Sequence, residues 1–132
     1  MAERHVGELV HTSPAPEIEL AVLGAVRHAQ RVLHINKTIN VNFFIRGVDK
    51  EAMFSWHGRV FLDDDVDGFV LPGDPTTVWV NADLASVRRA FEVGLHEVRH
   101  CRQSLDGGLR DRHADELQAQ SFARTHLERI RR

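Results

Sequence analysis

With 132 residues the chain has room for one domain and a modest core. Its net charge of −2, with both signs interspersed, excludes the basic footprint of a nucleic-acid binder. The single cysteine, Cys101, rules out an intrachain disulfide and fits a reducing compartment, and no apolar run approaches the roughly 18 residues that cross a bilayer.

The first residues lack the apolar core of a signal peptide, so the expectation is a soluble, cytoplasmic protein with no membrane partner. Residues 1–16 are polar and close in Ser13-Pro14-Ala15-Pro16, which predicts a flexible lead-in to a single domain over 17–132. A packing helix follows. Glu17 and Glu19 sit at its positive end, with Ile18, Leu20, Val22, Leu23, Val26, Val32 and Leu33 as its apolar residues. Branched and aromatic side chains over 38–45 predict a strand closed by Gly47. Weaker strand signals cover 52–56 and 59–62, with Gly58 at the turn between them.

The acidic run that follows places Asp63, Asp65, Asp67 and Gly68 in the D-x-D-x-D-G order of a calcium loop, with Asp74 twelve positions in. Its flanks are strand-like where paired helices belong, and Pro72 interrupts it. A solvated acidic loop is the preferred reading over calcium. Residues 77–81, Thr-Val-Trp-Val-Asn, carry the strongest strand signal, either as a core strand or as an edge that receives a peptide. Asn81 or Asp83 then caps a helix predicted over 84–105.

That helix holds His96-Glu97-Val98-Arg99-His100, an H-E-x-x-H sequence. Residues four apart stack on one helical face, so two imidazoles can reach one ion while Glu97 projects beside them. This is the arrangement of a zinc hydrolase: the ion polarises a carbonyl and acidifies water, and the glutamate carries the proton. The apolar stripe Leu84, Val87, Phe91, Leu95, Val98 and Cys101 or Leu105 lies on another side of the cylinder. The histidine face therefore needs a second element to cover it.

Asp106-Gly107-Gly108 stops the helix, and a last helix runs over 111–132 with Ala119, Ala123, Leu127 and Ile130 as its stripe and Phe122 at the border. Glu116 falls within that stripe, where an unpaired carboxylate is expensive. A metal ion between the two helices, held by His96, His100 and Glu116 with a fourth place open, answers both anomalies. Asp115 and His113 are the alternative third ligands on the same helix. Gln103 and Gln120 face the expected site and can orient ligands. The metzincin continuation is missing, since six residues beyond His100 stands Asp106.

The run His96-Glu97-Val98-Arg99-His100-Cys101-Arg102-Gln103, followed by Glu116-Leu117-Gln118-Ala119-Gln120-Ser121-Phe122-Ala123, resembles the small gluzincin-type metallopeptidases. It is most similar to the ImmA/IrrE-like group, whose second motif runs E-x-x-A-N-x-F-A; Gln120 stands in the place of its asparagine. The resemblance implies a zincin-like α+β fold in which an N-terminal helix precedes a small, mostly antiparallel sheet, then the H-E-x-x-H helix and a C-terminal helix with the third ligand. It implies zinc bound by His96, His100 and Glu116, Glu97 as catalytic base, and a protein substrate such as a transcriptional regulator. The chain has no tyrosine, so an oxyanion would fall to His113 or Arg99. The reading from another class is a non-proteolytic interaction module stapled by zinc.

Overall fold

Pro16 opens the first helix, α1 (Pro16–Val32), at a position where its missing N–H costs nothing, and Glu17 and Glu19 complement the helix dipole. The structure is a computed structural model and describes residues 14–44, 67–71, 73–107 and 112–131, with side chains at 114–128 in the last stretch. The buried face of α1 is Ile18, Ala21, Val22, Ala25, Val26 and Ala29, steps of three and four on one side. Leu20 and Val32, expected in the stripe, are exposed instead. The alanines take their place because they let a second helix approach closely. A Cβ on Gly94 of that helix would stand 2.8 Å from Ala25 Cβ and 3.1 Å from the Val22 carbonyl.

Three strands follow: β1 (Asn40–Phe44), β2 (Gly68–Leu71) and β3 (Asp74–Asn81), in the spatial order β1-β3-β2. β1 runs parallel to β3, with Asn40 opposite Thr77 and Phe44 opposite Asn81. β2 runs antiparallel to β3, with Gly68 opposite Val80 and Phe69 opposite Trp79. The sheet is thus mixed, correcting the mostly antiparallel expectation. β3 is its central strand, so of the two roles open to 77–81 it takes the core one. Val78 and Val80 are fully buried with the helices, while on the opposite face Trp79 stacks on Phe69 at 5.8 Å and Phe44 packs beside it.

The long helix α2 (Val87–Leu105) starts three residues later than expected. Its cap is Ser86, in extended conformation, whose Oγ accepts from Arg89 N at 3.0 Å. Asn81 does not cap; its Oδ1 accepts from Asp83 N in a local turn, which holds Leu84 in the core ahead of the helix. The predicted stop is present, with Asp106 at the C-cap and Gly107 at φ +130°. α3 (Arg112–Arg131) then returns across α2, burying Ala119, Ala123 and Leu127. α2 is consequently the shared element, packed against α1, α3 and the sheet.

Among the described residues the architecture is α+β, three helices with a small mixed sheet. Among the described residues no helix is long and apolar enough to cross a membrane. The lead-in before residue 14, the strands expected at 52–56 and 59–62, Gly47, Gly58, Pro72 and the side chains of His113 and Ile130 lie outside the described residues.

Candidate metal centre

His96 and His100, one turn apart on α2, turn their Nε2 atoms toward each other at 3.1 Å, under the N-terminal half of α3. Glu116 of α3 closes the group. Its Oε1 lies 2.7 Å from His96 Nε2 and its Oε2 3.1 Å from His100 Nε2. One donor atom from each of the three residues falls within 4.8 Å of the others. An ion with bonds of roughly 2 Å to nitrogen spaces two tetrahedral ligands about 3.3 Å apart. The three side chains fit that spacing, so His96, His100 and Glu116 form a group that can hold a metal ion.

The histidine face is covered as it needs to be, but by a different logic at Glu116. That side chain is 48% exposed, at the rim of α3's buried stripe rather than within it. The imidazoles draw it in; burial of the carboxylate does not. Burial, with the neighbouring His100 charge, lowers the His96 pKa against the opposing pull of Glu116, which favours the neutral ring a metal requires.

Gln103 fixes the second imidazole. Its Nε2 donates to the Asp115 carbonyl at 2.9 Å and to Gln118 Oε1 at 2.8 Å, so its own Oε1 is left facing His100 Nδ1 at 2.7 Å. An acceptor there makes Nδ1 the protonated nitrogen of His100 and leaves the Nε2 lone pair free for an ion. Gln103 was legible as an orienting residue from its place three after His100. Gln118 was not, and Gln120, singled out for the same role, is exposed. Asp115 contributes its backbone carbonyl to Gln103 and no atom to the metal group. Arg99 is half-buried on the same helix.

Glu97 faces the sheet. It is 5% exposed, and among the described residues its Oε1 has no hydrogen-bond partner. Burial, reinforced by the Glu116 charge and opposed by Arg89, pushes its carboxyl well above the ordinary carboxylate range. Gly68, the first residue of β2, lies against it, and a Cβ at Gly68 would meet Glu97 Cγ at 2.9 Å and Val93 at 2.9 Å. β2 is held there by Asp67, whose Oδ2 accepts from Arg89 Nη2 at 2.9 Å and Nε at 3.1 Å, and whose backbone carbonyl accepts from Asn81 N at 2.8 Å.

Those bonds assign the described part of the acidic run. Asp67 pairs with Arg89, Gly68 makes room for Glu97, and Asp74 opens β3 at the surface. Asp63 and Asp65 lie outside the described residues. Cys101, buried on α2, has its thiol pushed up to about 12 and is inert at neutral pH. No family model matches the chain, and neither a curated protein nor a solved structure does.

Proposed function

We propose that the protein is a zinc-dependent metallopeptidase of the gluzincin type, nearest in its motifs to the ImmA/IrrE-like group, acting on a protein substrate such as a transcriptional regulator. The observation that carries this reading is the convergence of His96, His100 and Glu116 from two helices, with Glu97 next in sequence to the first ligand. Two imidazoles and a carboxylate leave one position open, the donor set of hydrolytic zinc, whereas structural sites are closed by four protein ligands.

Bound zinc would supply Lewis acidity, polarising the scissile carbonyl and acidifying the attacking water. The chain's own residues do the rest. Gln103 sets the tautomer of His100, so that the imidazole presents a lone pair. Glu97 takes the water's proton, holds it, and passes it to the leaving amine. A carboxyl whose pKa is raised by burial suits the holding step. Among the described residues β2 is an edge strand and lies against Glu97, and a peptide added along it would gain main-chain hydrogen bonds without a demand for one sequence.

A second reading is favoured by the burial of Glu97 beneath β2. In it zinc staples α2 to α3, and the scaffold binds a partner without cleaving it. Elemental analysis of wild type, Glu97→Gln and Glu116→Ala, paired with hydrolysis of a denatured-protein mixture, separates the two. The peptidase retains about one zinc in Glu97→Gln, loses it in Glu116→Ala, and loses turnover in both. A protein that binds zinc yet cleaves nothing, with Glu97→Gln indistinguishable from wild type, is the stapled module. A wild type that takes up no zinc sinks both readings.

A further inference from the structure

The C-terminal end of α1 carries a cluster that peptide hydrolysis leaves unused. Arg27, Gln30, Arg31, His34, Ile35 and Asn36 line an open cavity of about 490 Å³. Arg27, Arg31 and His34 are all exposed and, at steps of four and three, share one side of the helix end. Among the described residues none of the three meets a carboxylate, whereas Arg89 and Arg102 are each paired with one. The helix dipole favours a cation in the last turn and so accounts for Arg31, but it fades before Arg27, and two guanidinium groups one turn apart repel each other, so helix formation gives no reason for the pair.

Helix capping gives none either. The last-turn carbonyls already have backbone donors: Leu33 N to Ala29 O at 2.8 Å, His34 N to Arg31 O at 3.3 Å and Ile35 N to Gln30 O at 3.0 Å. The carbonyl of Leu33 accepts from Arg102 Nη1 at 3.4 Å. His34 itself sits at φ 55°, the left-handed conformation that glycine adopts with least strain at a helix end. An imidazole is therefore kept where a bare backbone is preferred, and strain of this kind points to use. Gln30 Nε2 donates to the Lys37 carbonyl at 3.0 Å, folding the following segment back over the same turn.

We infer that this cavity binds a phosphate-class oxyanion, gripped by the guanidinium forks of Arg27 and Arg31 and by the ring of His34. Two forks and an imidazole offer more donors than one carboxylate can accept, whereas a phosphoryl group presents three terminal oxygens. Among the described residues the lining contains no acidic side chain to oppose it. Ile35 gives the wall an apolar patch suited to the organic part of a phosphate ester. The site is separate from the metal group and does not depend on the peptidase reading.

The test is an NMR titration of the full chain, following arginine Nε and histidine ring resonances. Sodium phosphate and phenyl phosphate are added in turn, each against sodium chloride at matched ionic strength. Saturable shifts at Arg27, Arg31 and His34 with the phosphates alone are expected. Tighter binding of phenyl phosphate identifies an ester as the natural ligand, and equal binding identifies free phosphate. The double variant Arg27→Gln/Arg31→Gln and the single variant His34→Gly should each weaken binding at least about tenfold. His34→Gly should melt at or above the wild-type temperature, which separates loss of the ligand from loss of fold. Shifts that never saturate, that chloride reproduces, that fall only on His96 and His100, or that survive either variant overturn the inference.

Discussion

Gly68 and Glu97 occupy adjoining space: a single carbon added to the glycine would stand 2.9 Å from Glu97 Cγ and 3.1 Å from its Oε2. β2 and the glutamate therefore constrain each other at this contact. Gly68→Ala should destabilise the protein by about 1–3 kcal/mol, the usual cost of overpacking. It should leave zinc content intact, since none of the three metal-group residues is touched. Denaturant midpoints and elemental analysis on the same preparations check both halves, and a variant as stable as wild type would show that the strand yields freely.

Gln103→Leu preserves the bulk of the side chain while removing the acceptor for His100 and the donor to α3. Loss of such an orienting group lowers metal affinity by about 10–100-fold. Competition with a chromogenic chelator measures it. Affinity equal to wild type would mean that the imidazole is oriented by packing alone.

The pH dependence of the chelator-treated protein follows from Glu97. Its folded pKa lies well above the ordinary 4.5, so the folded state holds the proton more tightly than the unfolded chain does. That contribution is full below the unfolded value and is lost as pH rises through the folded one. Wild-type stability should fall with rising pH across this window relative to Glu97→Gln, which has no proton to lose. Urea midpoints at a series of pH values give the comparison, and parallel curves for the two proteins would refute the assignment.

Ser86→Ala removes the hydroxyl that accepts from Arg89 N, and should cost about 1 kcal/mol. Asn81→Ala tests the opposite case, because its side chain shapes the turn before the helix and does not cap it. Thermal melts of the Ser86 variant should show a lower midpoint with unchanged metal affinity.

Much of this arrangement was legible in the sequence where it rests on helical spacing. The steps from His96 to His100, and to Gln103, fix which side chains share a face whatever packs against them. The third residue was legible too, but for a partly mistaken reason: Glu116 lies at an exposed rim and is drawn to the imidazoles, not isolated in a core. What sequence periodicity could not provide was any relation across the sheet. Gly68 reads as the turn glycine of an acidic loop, yet its role comes from Glu97, which lies 29 residues further along the chain. Asp67 is taken by Arg89 in the same way. Ser86 carries no stronger cap signal in the sequence than Asn81 or Asp83, and where Leu84 finds the core decides among them.

Among the described residues α3 packs on α2, and His28 Nε2 of α1 approaches His126 Nδ1 at 3.4 Å. The helix that supplies Glu116 is thus seated on the helix that supplies the two imidazoles. An ion bridging that carboxylate to His96 and His100 would also oppose the undocking of the helix, so affinity and docking would be two views of one equilibrium. Stripping the ion should loosen amide protection along α3 before α1, and a partner that grips α3 would tighten the hold on metal from a distance.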